Sequence, residues 1–350
     1  MNARRPVTLA AVLVASMLVA ACGGGGDGAA TGGSPEPGGG DPSGAPVPSS
    51  DPTAVELYVN GFGEDGPALV RRAIESEEET VVAEPVEPGR IEVFGDDVWL
   101  HNETTLTHVD PASGAVGTIT LPDTLAYVGG NDRQVWVVVG IGGVATKIVG
   151  IDAASNQIVS TVEAAAPIGD VAVGDGVVWT EGGDPGFVNR VTRIDPATGT
   201  ATVHEAVVIP SALAVQGDSV WAVGTKPAAD SSSQPIEAVV KIGPDGSVVA
   251  TYEMPEAGAL SDIAVGYDAV WVTDARSGEL LRLDPASGDV LATIDIGEGG
   301  EGAGLFRIDL AKGTVWVTNP VDRKAYAVSP ATNDWDKGID LASGAFAFVP

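Results

Sequence analysis

The chain has 350 residues, of which 48 are Asp or Glu and 18 are Lys or Arg, for a formal net charge of −30. Such a charge repels phosphate and anionic headgroups, which excludes nucleic acid as a partner and a lipid surface as a dock for the folded part. With a single cysteine no internal disulfide can form, so packing and sheet hydrogen bonds must hold the fold.

The N-terminus carries Arg4 and Arg5, an uncharged run from Val7 to Ala21 and small residues before Cys22. This is the layout of an export signal over residues 1–21, too short to span a bilayer, which takes roughly 20 apolar residues. Val19-Ala20-Ala21-Cys22 resembles the lipobox of bacterial lipoproteins. The resemblance implies cleavage before Cys22, a lipid on its sulfur and anchorage to the extracytoplasmic face of the cell membrane. Residues 22–53 are almost wholly Gly, Ala, Ser, Pro, Thr and Asp, a composition too poor in apolar side chains to offset the entropy of ordering, and read as a tether. Loss of the leader, with its two arginines and no acids, takes the net charge to −32.

Residues 54–350 carry a repeat. Val-Trp pairs stand at Trp99, Trp136, Trp179, Trp221, Trp271 and Trp316, separated by 37, 43, 42, 50 and 45 residues. Each unit reads as four short strands, A to D, clearest over residues 262–296. A Gly/Asp turn joins A to B, and a turn of the type Asp284-Pro-Ala-Ser-Gly288 joins C to D, with Asn156 and Asn333 in place of the final glycine in two units. Strand B is apolar on both faces, so both faces of each sheet must be covered. Radially stacked four-stranded sheets supply that cover, which predicts an all-β propeller with the tryptophans between blades.

Before the first tryptophan, Leu57-Tyr58-Val59-Asn60, Ala68–Arg71 and Thr80–Val86 match strands B, C and D of a unit that lacks strand A. At the other end, Ala345–Val349 matches a strand A with nothing after it. Joined, they predict seven blades closed by N- and C-terminal strands. The alternative is six blades with a short helix at Pro67–Glu79 outside the ring.

The units around Trp271-Val-Thr-Asp274 with Leu283–Gly288, and Trp179-Thr-Glu181 with Asn189–Ile194, resemble the repeats of the YVTN-type and virginiamycin B lyase-like propeller superfamily. That resemblance implies the fold over about residues 54–350. Its members include a lyase using a His with an acid-held Mg²⁺, lactonase-like enzymes, and surface proteins with no known reaction. The lyase's catalytic His and metal-binding acids have no counterpart here that can be placed by motif.

Of three histidines, His101 falls on the B–C loop, while His108 is expected at the solvent edge of its blade and His204 at the periphery. There is no phosphate loop, no zinc pattern and no nucleophile elbow. The leading expectation is a non-catalytic, monomeric binding or scaffold module with a protein, peptide or glycan partner and no cofactor. The alternative is a lyase or lactonase acting on a cyclic ester through His101, Glu103 and Glu181, with Mg or Ca. Starts of strand A and ends of strand B share one face of a meander, which gathers the candidate ligand-binding residues Arg90, Asp170, Asp262 and Arg307 with His101, Asn102, Glu181, Asp274 and Asn319 at one mouth of the channel. Those charges equally suit mutual neutralisation that holds the ring together.

Overall fold

The computed structural model describes residues 14–16 and 56–340, apart from 74–77, 142–143, 165, 183–187, 229–233, 301–305 and 312. The described residues form seven four-stranded antiparallel sheets and no helix, a seven-bladed β-propeller. Blade 1 consists of Val14–Ser16, Glu56–Phe62, Pro67–Ala73 and Glu79–Ala83. Blades 2 to 7 begin with innermost strands Arg90–Phe94, Thr124–Gly130, Ile168–Gly174, Ile209–Gln216, Leu260–Gly266 and Arg307–Ala311. Each then meanders outward through the tryptophan strand to its fourth strand, blade 7 ending with Asp334–Asp340.

The seventh blade is therefore real, and Pro67–Ala73 is a strand rather than part of a helix. Its strand A differs from the expected one. Val14–Ser16 from the leader run pairs with Glu56–Tyr58, filling the place for which the sequence offered Ala345–Val349, a segment outside the described residues. The edge accepts this short apolar stretch because backbone pairing asks only for extended geometry.

All six repeat tryptophans are buried, and Trp99, Trp136, Trp179, Trp221 and Trp271 pack against the next blade. Trp99 clusters with Val135, Val137 and Val139 of blade 3, Trp179 with Val220 and Ala222 of blade 5, and Trp271 with Val315 and Val317 of blade 7. An aromatic side chain that buries 150–250 Å² at about 25 cal/mol per Å² contributes a gross ~4–6 kcal/mol, so these contacts are the main mortar between sheets.

Polar latches repeat the same connection. His108 does not face solvent as expected: it stacks on Trp99, with 4.3 Å between ring centroids and 7° between planes, and its Nδ1 lies 2.7 Å from Asn156 Oδ1 in the next blade. Arg282 does likewise in blade 6, standing over Trp271 and donating to Asn333 Oδ1 (2.7 Å) and Pro330 O (2.6 Å) of blade 7. Both asparagines have φ near 57°, the left-handed conformation the turn requires.

Candidate functional site

The ladder pairs the start of strand A with the end of strand B: Arg90 with His101, Leu260 with Asp274, Arg307 with Thr318. One end of the channel thus collects all nine candidate residues, but their side chains fall into two groups.

The first group is occupied in holding the ring. Asp170 accepts from Val171 N (2.9 Å) and, across to blade 5, from Leu213 N (3.2 Å). Asp262 accepts from Ile263 N (2.9 Å) and, across to blade 7, from Ile308 N (2.8 Å). Each carboxyl ties its innermost strand to that of the following blade. Burial raises both above the usual carboxylate range, Asp262 to about 7, against the opposing pull of Arg307 and the amides. Buried Asp274 accepts from Gly258 N, Ala259 N and Arg276 N, fixing the loop that enters its blade. Buried Asn319 donates to Ile296 O and Glu298 O and accepts from Val321 N. Asn102 is exposed and accepts from Thr105 Oγ1 within its turn.

The second group faces the mouth. His101 is the last residue of its strand rather than a loop residue, and it is buried. Its Nε2 lies 3.2 Å from Glu92 Oε1, so its carboxyl partner is Glu92, while Glu103 stays exposed in the turn. Burial, reinforced by Arg90, lowers His101 to about 4, which keeps the ring neutral at neutral pH. Glu92 is raised well above its usual range by burial, and its Oε2 has no hydrogen-bond partner.

Glu181, in blade 4, accepts from the backbone N–H of Asp170, and its Oε1 is buried without a partner. Gly169 makes the room: a Cβ there would sit 2.4 Å from Glu181 Oε2. Burial, and next the charge of Asp170, push Glu181 up to about 8, leaving it largely a neutral acid at pH 7.

Glu92 and Tyr127 escaped the sequence reading. Glu92 stands seven residues before Trp99, where other repeats carry Gly129, Ala172, Ala214 and Ala264, and that contrast was the available signal; Asp309 is its counterpart in blade 7. Tyr127, 42 % exposed, stands nine residues before Trp136, the position that Arg90, Asp170, Asp262 and Arg307 hold in their repeats, so the same count was the available signal; its phenol pKa is raised by burial, then by Glu181 and Asp170, and lowered by Arg307.

Beneath the mouth lies a cavity of about 260 Å³ lined by the innermost strands of blades 2 to 7. It reaches from the level of Asp170 and Asp262 to Gly95 and Gly130 at the far ends of their strands, and its exposed wall is more polar than apolar. Among the described residues, no group of three or more His, Cys, Asp or Glu is arranged to hold a metal ion, and no helix is long and apolar enough to cross a membrane.

No known protein family and no curated sequence matches the chain. Solved structures match its fold. Hsv2 of Kluyveromyces lactis is 10 % identical with a TM-score of 0.58, over 82 % of this chain and 95 % of that one. A chain of the mitotic checkpoint complex is 12 % identical with a TM-score of 0.58, over 74 % and 82 %. BamB from Moraxella catarrhalis is 15 % identical with a TM-score of 0.50, over 76 % and 79 %. At these identities the likeness is one of fold.

Proposed function

We propose that this propeller, of the YVTN-type and virginiamycin B lyase-like kind, is lipid-anchored through Cys22 outside the cell and binds a protein, peptide or glycan at its channel mouth. The observation that carries this reading is the division of labour there. Asp170, Asp262, Asp274 and Asn319 are consumed by backbone groups, whereas Arg90, Arg307 and Tyr127 stand at the mouth with no side-chain hydrogen bond among the described residues. Rigid walls with uncommitted donors make a preorganised surface. A propeller of the same fold is part of the mitotic checkpoint complex, in keeping with a role in assembly.

The test is a peptide and glycan array probed with the full chain, wild type against Arg90→Ala/Arg307→Ala. Loss of binding at an unchanged melting temperature supports the mouth as the binding face; retained binding refutes it. For the anchor, Cys22→Ser is expected to release the protein, and a wild-type mature N-terminus whose mass shows no lipid would refute tethering.

A second reading draws on Glu181. A carboxyl held protonated near neutral pH is a serviceable proton donor for a cyclic ester. Turnover of a lactone panel, sensitive to EDTA and abolished by His101→Ala or Glu181→Gln, would establish the lyase or lactonase instead.

A further inference from the structure

Among the described residues the outermost strand of each blade has a neighbour on one side only, so it carries a row of unpaired backbone N–H and C=O groups. Such an edge is a template for another strand unless a bulge, a charge or a proline guards it. Six of the seven edges are guarded. In blades 1, 3, 5, 6 and 7 a register shift interrupts the pairing of the outermost strand with its neighbour. Each of those strands, and that of blade 4, also holds an acid: Glu79, Glu163, Glu253, Asp295, Asp334 and Glu205 in turn. Blade 2 differs. Its outermost strand, Ala115-Val-Gly-Thr-Ile-Thr120, has no charge and no proline, and it is paired in unbroken register from Thr105 opposite Thr120 to Asp110 opposite Ala115. Val116 is 43 % exposed and Thr118 is exposed, so side chains as well as backbone are open to solvent along it.

We propose that the outer edge of blade 2 takes up an extended segment of a partner protein as a further strand of its sheet. Main-chain hydrogen bonds supply the affinity in this mode, and exposed side chains at alternate positions choose the sequence. The matching segment is uncharged over about six residues, roughly 20 Å of strand, and carries β-branched side chains to pair with Val116 and Thr118. Its flanks are basic, because acids stand at both ends of the edge. Asp110 begins the turn that leads into Ala115 and accepts from Ala112 N (2.8 Å). Exposed Glu103 lies beside Thr104, whose carbonyl accepts from Leu121 N (2.8 Å) just past Thr120. A second copy of this chain would offer the same six residues but would bring a net charge of −30 against −30 across a short contact, which disfavours it. The edge lies on the outside of the ring, apart from the channel mouth, and is independent of the reading given to the mouth.

The test is fluorescence anisotropy of the full chain with a labelled peptide that repeats the edge between lysine pairs, Lys-Lys-Ala-Val-Gly-Thr-Ile-Thr-Lys-Lys, and with a second peptide in which proline replaces its Gly and its Ile. The second keeps the charge and loses strand pairing. The first is expected to bind about tenfold or more tightly than the second. Val116→Lys/Thr118→Lys, which places on this edge the kind of guard the others carry, is expected to abolish that preference. Val203→Lys, an equally exposed position on the outermost strand of blade 4, and Arg90→Ala/Arg307→Ala are expected to keep it. The comparison of peptides on the wild type stands even if a variant fails to fold. Equal binding of the two peptides, no binding of either, or a preference that survives Val116→Lys/Thr118→Lys overturns the proposal. Loss of the preference in Arg90→Ala/Arg307→Ala overturns it too, by putting the peptide at the mouth. Dimers in sedimentation that disappear with Val116→Lys/Thr118→Lys would make a second copy the occupant and overturn the partner assignment.

Discussion

Glu181 and His101 give the molecule a pH dependence of definite sign. Glu181 in the folded state keeps its proton up to about pH 8, whereas an unfolded glutamate loses it near 4.5, so the folded state binds more protons between those values and stability falls as pH rises. Asp262, at about 7, works in the same direction. His101 is opposite: lowered from 6.5 to about 4, it makes the unfolded state the stronger proton binder in that window, and stability there rises with pH. Above pH 6.5 only the acids act. Melting temperature is therefore expected to drop between about pH 6.5 and 8, and Glu181→Gln to flatten the drop; an unchanged slope in that variant would refute the assignment. Gly169→Ala should expel the carboxyl from its recess and flatten the drop as well. Counting back from the tryptophans singles out Arg90, Asp170, Asp262 and Arg307, all four on innermost strands. Which of them is consumed was not legible, because Asp170 and Asp262 bond to amides about 45 residues away on the next blade, a distance no local pattern spans.

Between elements, the packing leaves little slack. Gly129 lies where strand A of blade 3 passes blade 4, and a Cβ on it would stand 2.4 Å from Val171 O. Backbone cannot yield as a side-chain tip can, so Gly129→Ala is expected to destabilise by about 1–3 kcal/mol in denaturant unfolding. The C–D turns carry a second burden. The sequence marks Asn156 and Asn333 as stand-ins for glycine, which they are by φ, yet their side chains also receive His108 and Arg282 from the preceding blade. Asn333→Gly keeps the turn and removes the latch, and is expected to lose about 1.5–3 kcal/mol, the range for a hydrogen bond to a charged group. A neutral Asn333→Gly would show that Pro330 O alone suffices. Strand order and blade number could be read from the repeat because each strand's turn chemistry and alternation are local. The latches could not, since they join different repeats.

Across the whole ring, blades 2 to 7 are each continuous in sequence, and blade 1 alone is assembled from distant segments. Its innermost strand is three residues long, against five to eight in the other six, and it is joined to its neighbour through residues 17–55. Closing a loop of that length costs about 3 kcal/mol or more in chain entropy, so three backbone pairs are a thin return. Val14–Ser16 also lies within the stretch that the export reading would remove. Cleavage before Cys22 would then leave Glu56–Phe62 as an open sheet edge, for which Ala345–Val349 remains the candidate partner. Deleting residues 345–350 from the cleaved chain is expected to lower its melting temperature sharply while having little effect on the uncleaved chain; equal effects on both would refute that exchange.

If the slot changes hands in this way, it is also a coupling point between molecules. The edge of Glu56–Phe62 does not distinguish a strand supplied by its own chain from one donated by a neighbour. The propeller would then be a closed bead when its own tail returns and a link in a chain of beads when the tail of the next molecule arrives first. If copies are anchored as proposed, their surface density would set the balance, since crowding raises the concentration of foreign tails while that of the chain's own tail stays fixed.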